Sequence, residues 1–263
     1  MISRRLAVLI GLTGAAVWGL LALHSPLHVG PGGLALLQEF AHGAVRPALW
    51  DGDLFLPKLA LVAAGQTLAL AAAALSLAVV GGCLLAPLLS ATLTRRLPGW
   101  LGQPLWLTAR VVAASLRSVH ELLWAILLLA ALGRSTSAAI LAIGIPFAGM
   151  LGRVYAALLD EADPGPSEAL ERIGAGPLAA VLLARLPQIL PDATAYTLYR
   201  FECALRSSAV LGFFGLPTLG YHIAAAANSV AMAELWTFLY ALLALILLAE
   251  AWSGAVRRSL VQS

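Results

Sequence analysis

Six apolar runs, each close to the length that a bilayer demands of a helix, restrict this chain more than any motif in it. They lie at about 6–23, 59–89, 105–132, 136–158, 193–215 and 236–255. A hydrocarbon core about 30 Å thick is crossed by about 20 helical residues. Within it each backbone N–H and C=O must bond inside the protein, which leaves the helix as the natural state of such runs. Composition agrees: 61% of residues are hydrophobic and 11% charged, against about 45–50% and 25% in soluble domains. The expected fold is an all-α, polytopic membrane protein of about six transmembrane helices. The arginines are scattered singly or in pairs rather than gathered in a stripe, which argues against nucleic acid as a partner. Cys83 and Cys203 lie inside apolar segments without Cys/His spacing, so they read as packing residues rather than ligands.

The cations orient the spans. Arg4 and Arg5, Arg95 and Arg96, Arg153, Arg172 and Arg185, and Arg257 with Arg258 fall on one side if the six runs alternate, and lysine and arginine accumulate on the cytoplasmic face. Both termini and the 160–192 segment are therefore expected inside. Segment 24–58, the Gly133–Ser135 turn and the 216–235 stretch are expected outside. The first run has a basic start and an apolar centre like a signal peptide, but Ala22-Leu23-His24 lacks the small-residue cleavage pattern, and a retained anchor is expected. The chain then divides into 1–58, an N-terminal span with an external segment, and 59–263, a helical core. Small residues at Gly65-Ala69-Ala73 and Ser208-Gly212 are spaced to let helices approach closely in lipid.

The longest polar interruption, 160–192, specifies structure. Asp163-Pro164-Gly165-Pro166 halts the preceding helix, because proline lacks a donor and disfavours α geometry before it. Ser167 stands as an N-cap, with Glu168 and Glu171 at the positive end of a short helix. Ala169, Leu170 and Ile173 form its apolar face. Gly174-Ala175-Gly176 breaks it, Pro177 opens a second helix, and Pro187 and Pro191 are expected to close that one. Glu168-Ala169-Leu170, Gly174 four residues past Leu170, and Leu186-Pro187 twelve residues past the glycine resemble the EAA loop of type I ABC importer permeases. That pattern runs Glu-Ala-Ala, three residues, Gly, nine residues, Ile, any residue, Leu-Pro. Leu170 and Ala184 depart from it. The resemblance implies that Glu168, Ala169, Leu170, Gly174, Leu186 and Pro187 form a coupling element that docks on a cytoplasmic ATPase.

Two expected spans carry ionisable groups, which cost about 2.5–3.5 kcal/mol each at a helix centre on insertion scales. In the third, Arg117 and Glu121 are one turn apart and share a face; Glu202 and Arg206 have the same spacing in the fifth. The run Arg117-Ser118-Val119-His120-Glu121-Leu122-Leu123-Trp124-Ala125 and the run Tyr199-Arg200-Phe201-Glu202-Cys203-Ala204-Leu205-Arg206-Ser207 resemble segments of permeases for phosphonate and related phosphorus oxyanions. The likeness covers about residues 110–215 and weakens at Gly215-Leu216-Pro217-Thr218-Leu219-Gly220. It implies a translocation path or gate at Arg117, Ser118, Glu121, Arg200, Glu202, Arg206 and Ser207. Guanidinium offers planar, forked donors suited to such oxygens. The alternative is that Arg117–Glu121 and Glu202–Arg206 neutralise each other and only hold helices together.

No Gly-x-x-x-x-Gly-Lys-Ser/Thr loop occurs, so no ATP site is expected in this chain. His120-Glu121-Leu122-Leu123-Trp124 begins like a zinc-protease motif but has tryptophan where the second histidine must stand. Asp160-Glu161-Ala162-Asp163 borders a Pro/Gly loop and reads as solvated rather than as a magnesium cluster, and His24, His28, His42 and His222 are isolated. No catalytic residue, metal or cofactor is expected here. The resemblance implies ATP and magnesium on partner ATPases, an external solute-binding protein, a second permease copy in a homodimer, and surrounding lipid. Another small solute is the alternative cargo for such an importer; an ion-coupled transporter using Glu121 or Glu202 as a proton relay is the rival of a different class, and the EAA-like loop is the feature it leaves without a purpose.

Overall fold

The computed structural model describes residues 4–22, 30, 32–48, 55–95 and 97–262. Arg96, His24, His28, Asp51 and Ser263 lie outside them. The chain forms two units, Met1–His42 and Gly43–Ser263. In the first, Arg4–Ala22 (α1) is one helix whose stretch Val8–Gly19 is apolar. Gly33–Val45 (α2) is a helix within the expected external segment, an element that the span pattern did not reveal.

In the second unit, three helices are long and apolar enough to cross a membrane among the described residues: Phe55–Leu89 (α3), Thr136–Glu161 (α7) and, within the C-terminal Met232–Gln262 (α12), Met232–Ser259. Between α3 and α7 come the short Ala91–Thr94 (α4), then Gly99–Ser118 (α5) and Glu121–Leu132 (α6), a pair bent by 86°. After α7 follow Pro164–Arg172 (α8), Pro177–Ala180 (α9), a π turn at Val181–Arg185, Leu186–Leu211 (α10), a 3₁₀ turn at Gly212–Phe214, and Leu219–Asn228 (α11). The pair formed by 181–214 and α11 is bent by 43°. Counting each bent pair as one span gives five, beside the shorter apolar stretch of α1.

The core is the α3–α7 pairing. Ala71, Ala74 and Ala78 of α3 and Ala142, Ile143 and Leu151 of α7 have no exposed surface. Close approach rests on missing side chains: a Cβ on Gly82 would lie 2.8 Å from that of Leu151, and one on Gly152 would lie 2.8 Å from that of Leu85. In lipid, where packing replaces the hydrophobic effect, such contact supplies the attraction. The Thr67 hydroxyl of α3 donates to Ala63 O at 2.7 Å and accepts from Leu219 N at 3.0 Å, while Ser208 Oγ donates to Thr67 O at 3.0 Å. α3 is thereby tied to α10 and to the start of α11. At Ser208-Gly212 the expected close approach is present, since a Cβ on Gly212 would collide with Tyr221 N. Along Gly65-Ala69-Ala73 it is absent, because Gly65 faces open space and Ala69 is exposed.

Candidate functional site: a glycine corner and the charges of the long helices

Asp163, not Ser167, begins the surface helix: its Oδ1 accepts from Gly165 N at 3.0 Å, and Pro164 occupies the first turn. The Asp-Pro pair supplies both an acceptor and a φ preset for a helix start, so the cap falls four residues earlier than expected. Ser167 is buried inside α8 and donates to Pro164 O at 2.8 Å. The chain then turns at Gly174, whose φ of +93° lies in the region that glycine alone adopts without steric cost. Glu168, Ala169 and Arg172 are exposed and Ile173 is 81% exposed, so part of the expected apolar face points out of the protein. Glu168 and Arg172 form an exposed pair at 3.5 Å.

Beyond the corner, the second helix does not close at Pro187 and Pro191. α9, the π turn and α10 run on in sequence, with Pro187 in the first turn of α10 and Pro191 inside it. A proline ring clashes with the carbonyl four residues back in a regular α turn, and the wider π turn immediately ahead of Pro187 relieves this. The same stretch carries two residues that sequence reasoning missed. Arg185, 6% exposed, donates from Nη1 to Leu159 O at 2.9 Å and from Nε to Ser167 Oγ at 3.3 Å. Gln188 accepts from Asp163 N at 3.0 Å and donates to Ala184 O at 2.9 Å. Leu159 O is among the last four carbonyls of α7, which lack intrahelical donors and carry the negative end of the dipole. The buried guanidinium answers both. Arg185 thus joins the end of α7, α8 and the start of α10; only its place beside Leu186-Pro187 could have marked it.

The expected continuous third span is broken. Val119 and His120 are extended, and α5 meets α6 at 86°, so Arg117 and Glu121 do not share a helix face. His120, the residue of the discarded zinc motif, caps α6 by accepting from Leu122 N at 3.3 Å. Trp124 Nε1 donates to Leu116 O at 3.2 Å, satisfying a terminal carbonyl of α5 across the bend. Ser118 Oγ, exposed, bonds Ser115 O at 2.9 Å. Glu121 is held from α10, where Ser207 Oγ donates to it at 3.0 Å; His120 lies 3.7 Å away.

On α10 the expected Glu202–Arg206 pair is not formed. Glu202 is 7% exposed on the buried stripe of Leu198, Leu205 and Ala209, whereas Arg206 is exposed off that stripe. Glu202 Oε1 instead accepts from Ser253 Oγ and, at 3.2 Å, from Arg257 Nη2, both on α12. Arg200 donates to the Tyr196 hydroxyl from Nε at 2.9 Å, and its guanidinium carbon lies 5.0, 5.6 and 5.7 Å from the ring centres of Tyr196, Tyr199 and Phe147. Among the described residues no group of three or more His, Cys, Asp or Glu is placed to hold a metal ion.

Residues 85–260 match the family described as binding-protein-dependent transport system inner membrane component. The phosphite transport system permease protein PtxC of Stutzerimonas stutzeri is 34% identical over 150 residues, covering 57% of this chain and 54% of that protein. The phosphate-import permease protein PhnE of Mycolicibacterium smegmatis is 33% identical over 153 residues, covering 58% and 29%. The match thus spans little more than half the length of the first relative and less of the second. Among solved structures, an inward-facing MetNI methionine ABC transporter chain aligns with TM-score 0.67 at 22% identity, covering 80% of this chain and 99% of that one. An amino acid ABC transporter chain aligns at 0.63 and 19%, covering 77% and 94%. Those two likenesses establish the helical fold, and the sequence match across both the bend and the corner establishes membership: this chain belongs to the family of binding-protein-dependent transport system inner membrane components.

Proposed function

We propose that the chain is the permease subunit of an ATP-driven importer for a phosphorus oxyanion such as phosphite, phosphate or a phosphonate. The observation that carries this reading is α8 itself, a short helix with an exposed Ala169–Ile173 edge, aimed by a positive-φ glycine and clamped to α7 and α10 by Arg185. A surface so fixed suits a rigid lever that receives motion from another subunit. The partner is a cytoplasmic ATPase, which binds ATP and magnesium, with an external binding protein delivering cargo and a second copy of this chain completing the pathway.

In this reading, both termini and 160–192 are cytoplasmic, 24–58 is external, and 59–263 is the permease core. The path or gate is built from Arg117 and Ser118 at the helix break, the Glu121–Ser207 link between α6 and α10, and Arg200, Glu202 and Arg206 on α10. Support for the cargo comes from the names of two relatives, which are permeases for phosphite and phosphate, and from the cationic side chains. The test is uptake of radiolabelled phosphite or phosphate by the complex of permease, ATPase and cognate binding protein in proteoliposomes. ATP-dependent accumulation is expected; ATP-independent accumulation driven by a proton gradient would overturn it.

A further inference from the structure

Beside the α5–α7 crossing lies an open cavity of about 260 Å³. Arg110 and Arg117 of α5 and Arg153 of α7 line it, all three exposed. Arg110 and Arg117 are seven residues apart, hence on one face of α5 and about 10 Å apart along it. None of the three forms an ion pair with a carboxylate among the described residues. Asp160 lines the same cavity, but its oxygens are engaged elsewhere: Oδ1 accepts from Ser90 Oγ at 2.6 Å and Thr92 N at 3.0 Å, and Oδ2 accepts from Ala91 N at 3.0 Å. These bonds hold its carboxylate at the start of α4, and against its one negative charge the three arginines leave the groove positive. The Arg110 guanidinium carbon stacks 4.4 Å from the Trp106 ring centre, which fixes its plane while leaving its N–H edge free. Alanines at 113, 114, 156 and 157 make up much of the remaining wall and keep it open.

Three guanidinium groups without a carboxylate partner of their own converge on this one cavity, a donor set suited to an anion. We propose that this groove is a binding station for the phosphorus oxyanion on its way from the helix break at Val119 toward the α4 end of α7, with Arg110 and Arg153 as cargo-contacting residues alongside Arg117. The inference rests on the oxyanion-importer reading above. Forked donors from both α5 and α7 line the groove, and its one carboxylate, Asp160, is held toward Ser90, Ala91 and Thr92.

The test uses the complete complex in phosphatidylcholine proteoliposomes, with the cognate binding protein saturated in turn with phosphite, phosphate and methylphosphonate. Uptake by R110Q and by R153Q, normalised to inserted permease, is expected to fall about tenfold or more, the loss of one charge-assisted hydrogen bond. R110K and R153K, which insert equivalent charge, recover part of it, and R258Q at the exposed end of α12 leaves uptake unchanged. Millimolar inorganic phosphate is expected to protect Arg110 and Arg153 from phenylglyoxal in these vesicles, read by mass spectrometry. Protection that appears only when phosphatidylglycerol is added would assign the groove to a lipid headgroup and overturn the proposal. Wild-type uptake with unimpaired R110Q and R153Q would overturn the groove alone; no wild-type uptake of any of the three anions would remove the oxyanion-importer reading and the groove's role with it.

Discussion

Arg185 Nη1 lies 2.9 Å from the carbonyl oxygen of Leu159, so a buried guanidinium at the head of α10 closes the open end of α7. Removing it leaves a helix-terminal carbonyl and the Ser167 hydroxyl without their donor. Arg185→Ala is expected to cost about 2–3 kcal/mol and to uncouple α8 from the two long helices. Cargo-stimulated ATP hydrolysis by the complex should fall several-fold, with Arg185→Lys intermediate because a point charge cannot serve two acceptors in one plane. Stimulation equal to wild type would show that α8 is held by other contacts.

At Gly174 nothing lies within 4 Å of where a Cβ would stand. Any effect of substitution there is therefore conformational, not steric. Gly174→Val forces a β-branched residue to φ +93°, at a cost of about 1–2 kcal/mol or more, and should re-aim α8 and abolish stimulated ATP hydrolysis while the protein still inserts. Gly174→Asn, which tolerates a left-handed conformation better, should retain a measurable fraction. Equal loss in both would point to a contact with the partner subunit instead.

The bend between α5 and α6 is expected to depend on the indole of Trp124. Trp124→Phe keeps the ring but strands Leu116 O, which bonds Nε1 at 3.2 Å, for a loss of about 1–2 kcal/mol and a fall of a few degrees in the detergent melting temperature. Leu123→Phe, at a neighbouring exposed position, should leave it unchanged. No shift in Trp124→Phe would mean that water or another donor satisfies the carbonyl.

These sites differ in how far they could be read from the sequence, and the difference is one of range. The glycine corner was legible because φ at Gly174 is a local consequence of residue type, whereas the helix start at Pro164 was misplaced because Asp163-Pro164 ends one helix and opens the next. The bend at Val119 was not, since it holds neither glycine nor proline; it is made by His120 capping forward and Trp124 reaching back, a pattern visible only once the break is known. The onward run through Pro187 was misread because a π turn absorbed what a proline ordinarily ends. Charge pairing failed for a related reason: a spacing of four residues shows that two side chains can meet on a helix, not which of them turns toward a third helix.

Glu202 provides the decisive case. The one-turn spacing pairs it with Arg206, whereas the folded chain pairs it with Arg257 at 3.2 Å and with Ser253 on α12. With Glu202 buried and the Arg257 side chain 34% exposed, the pair is partly shielded from solvent, and breaking it by removing one member strands a charge. A double-mutant cycle on melting temperature, converted to free energy, should give a coupling of about 1 kcal/mol for Glu202→Ala with Arg257→Ala and no more than about 0.5 kcal/mol for Glu202→Ala with Arg206→Ala. Uptake should separate the residues further. On the proposed path, where this exposed guanidinium on α10 meets cargo rather than its neighbour, Arg206→Ala is expected to reduce transport to a similar degree whether or not Glu202 is present. Transport lost in Arg206→Ala but recovered in Glu202→Ala with Arg206→Ala would restore the one-turn pair and remove Arg206 from the path.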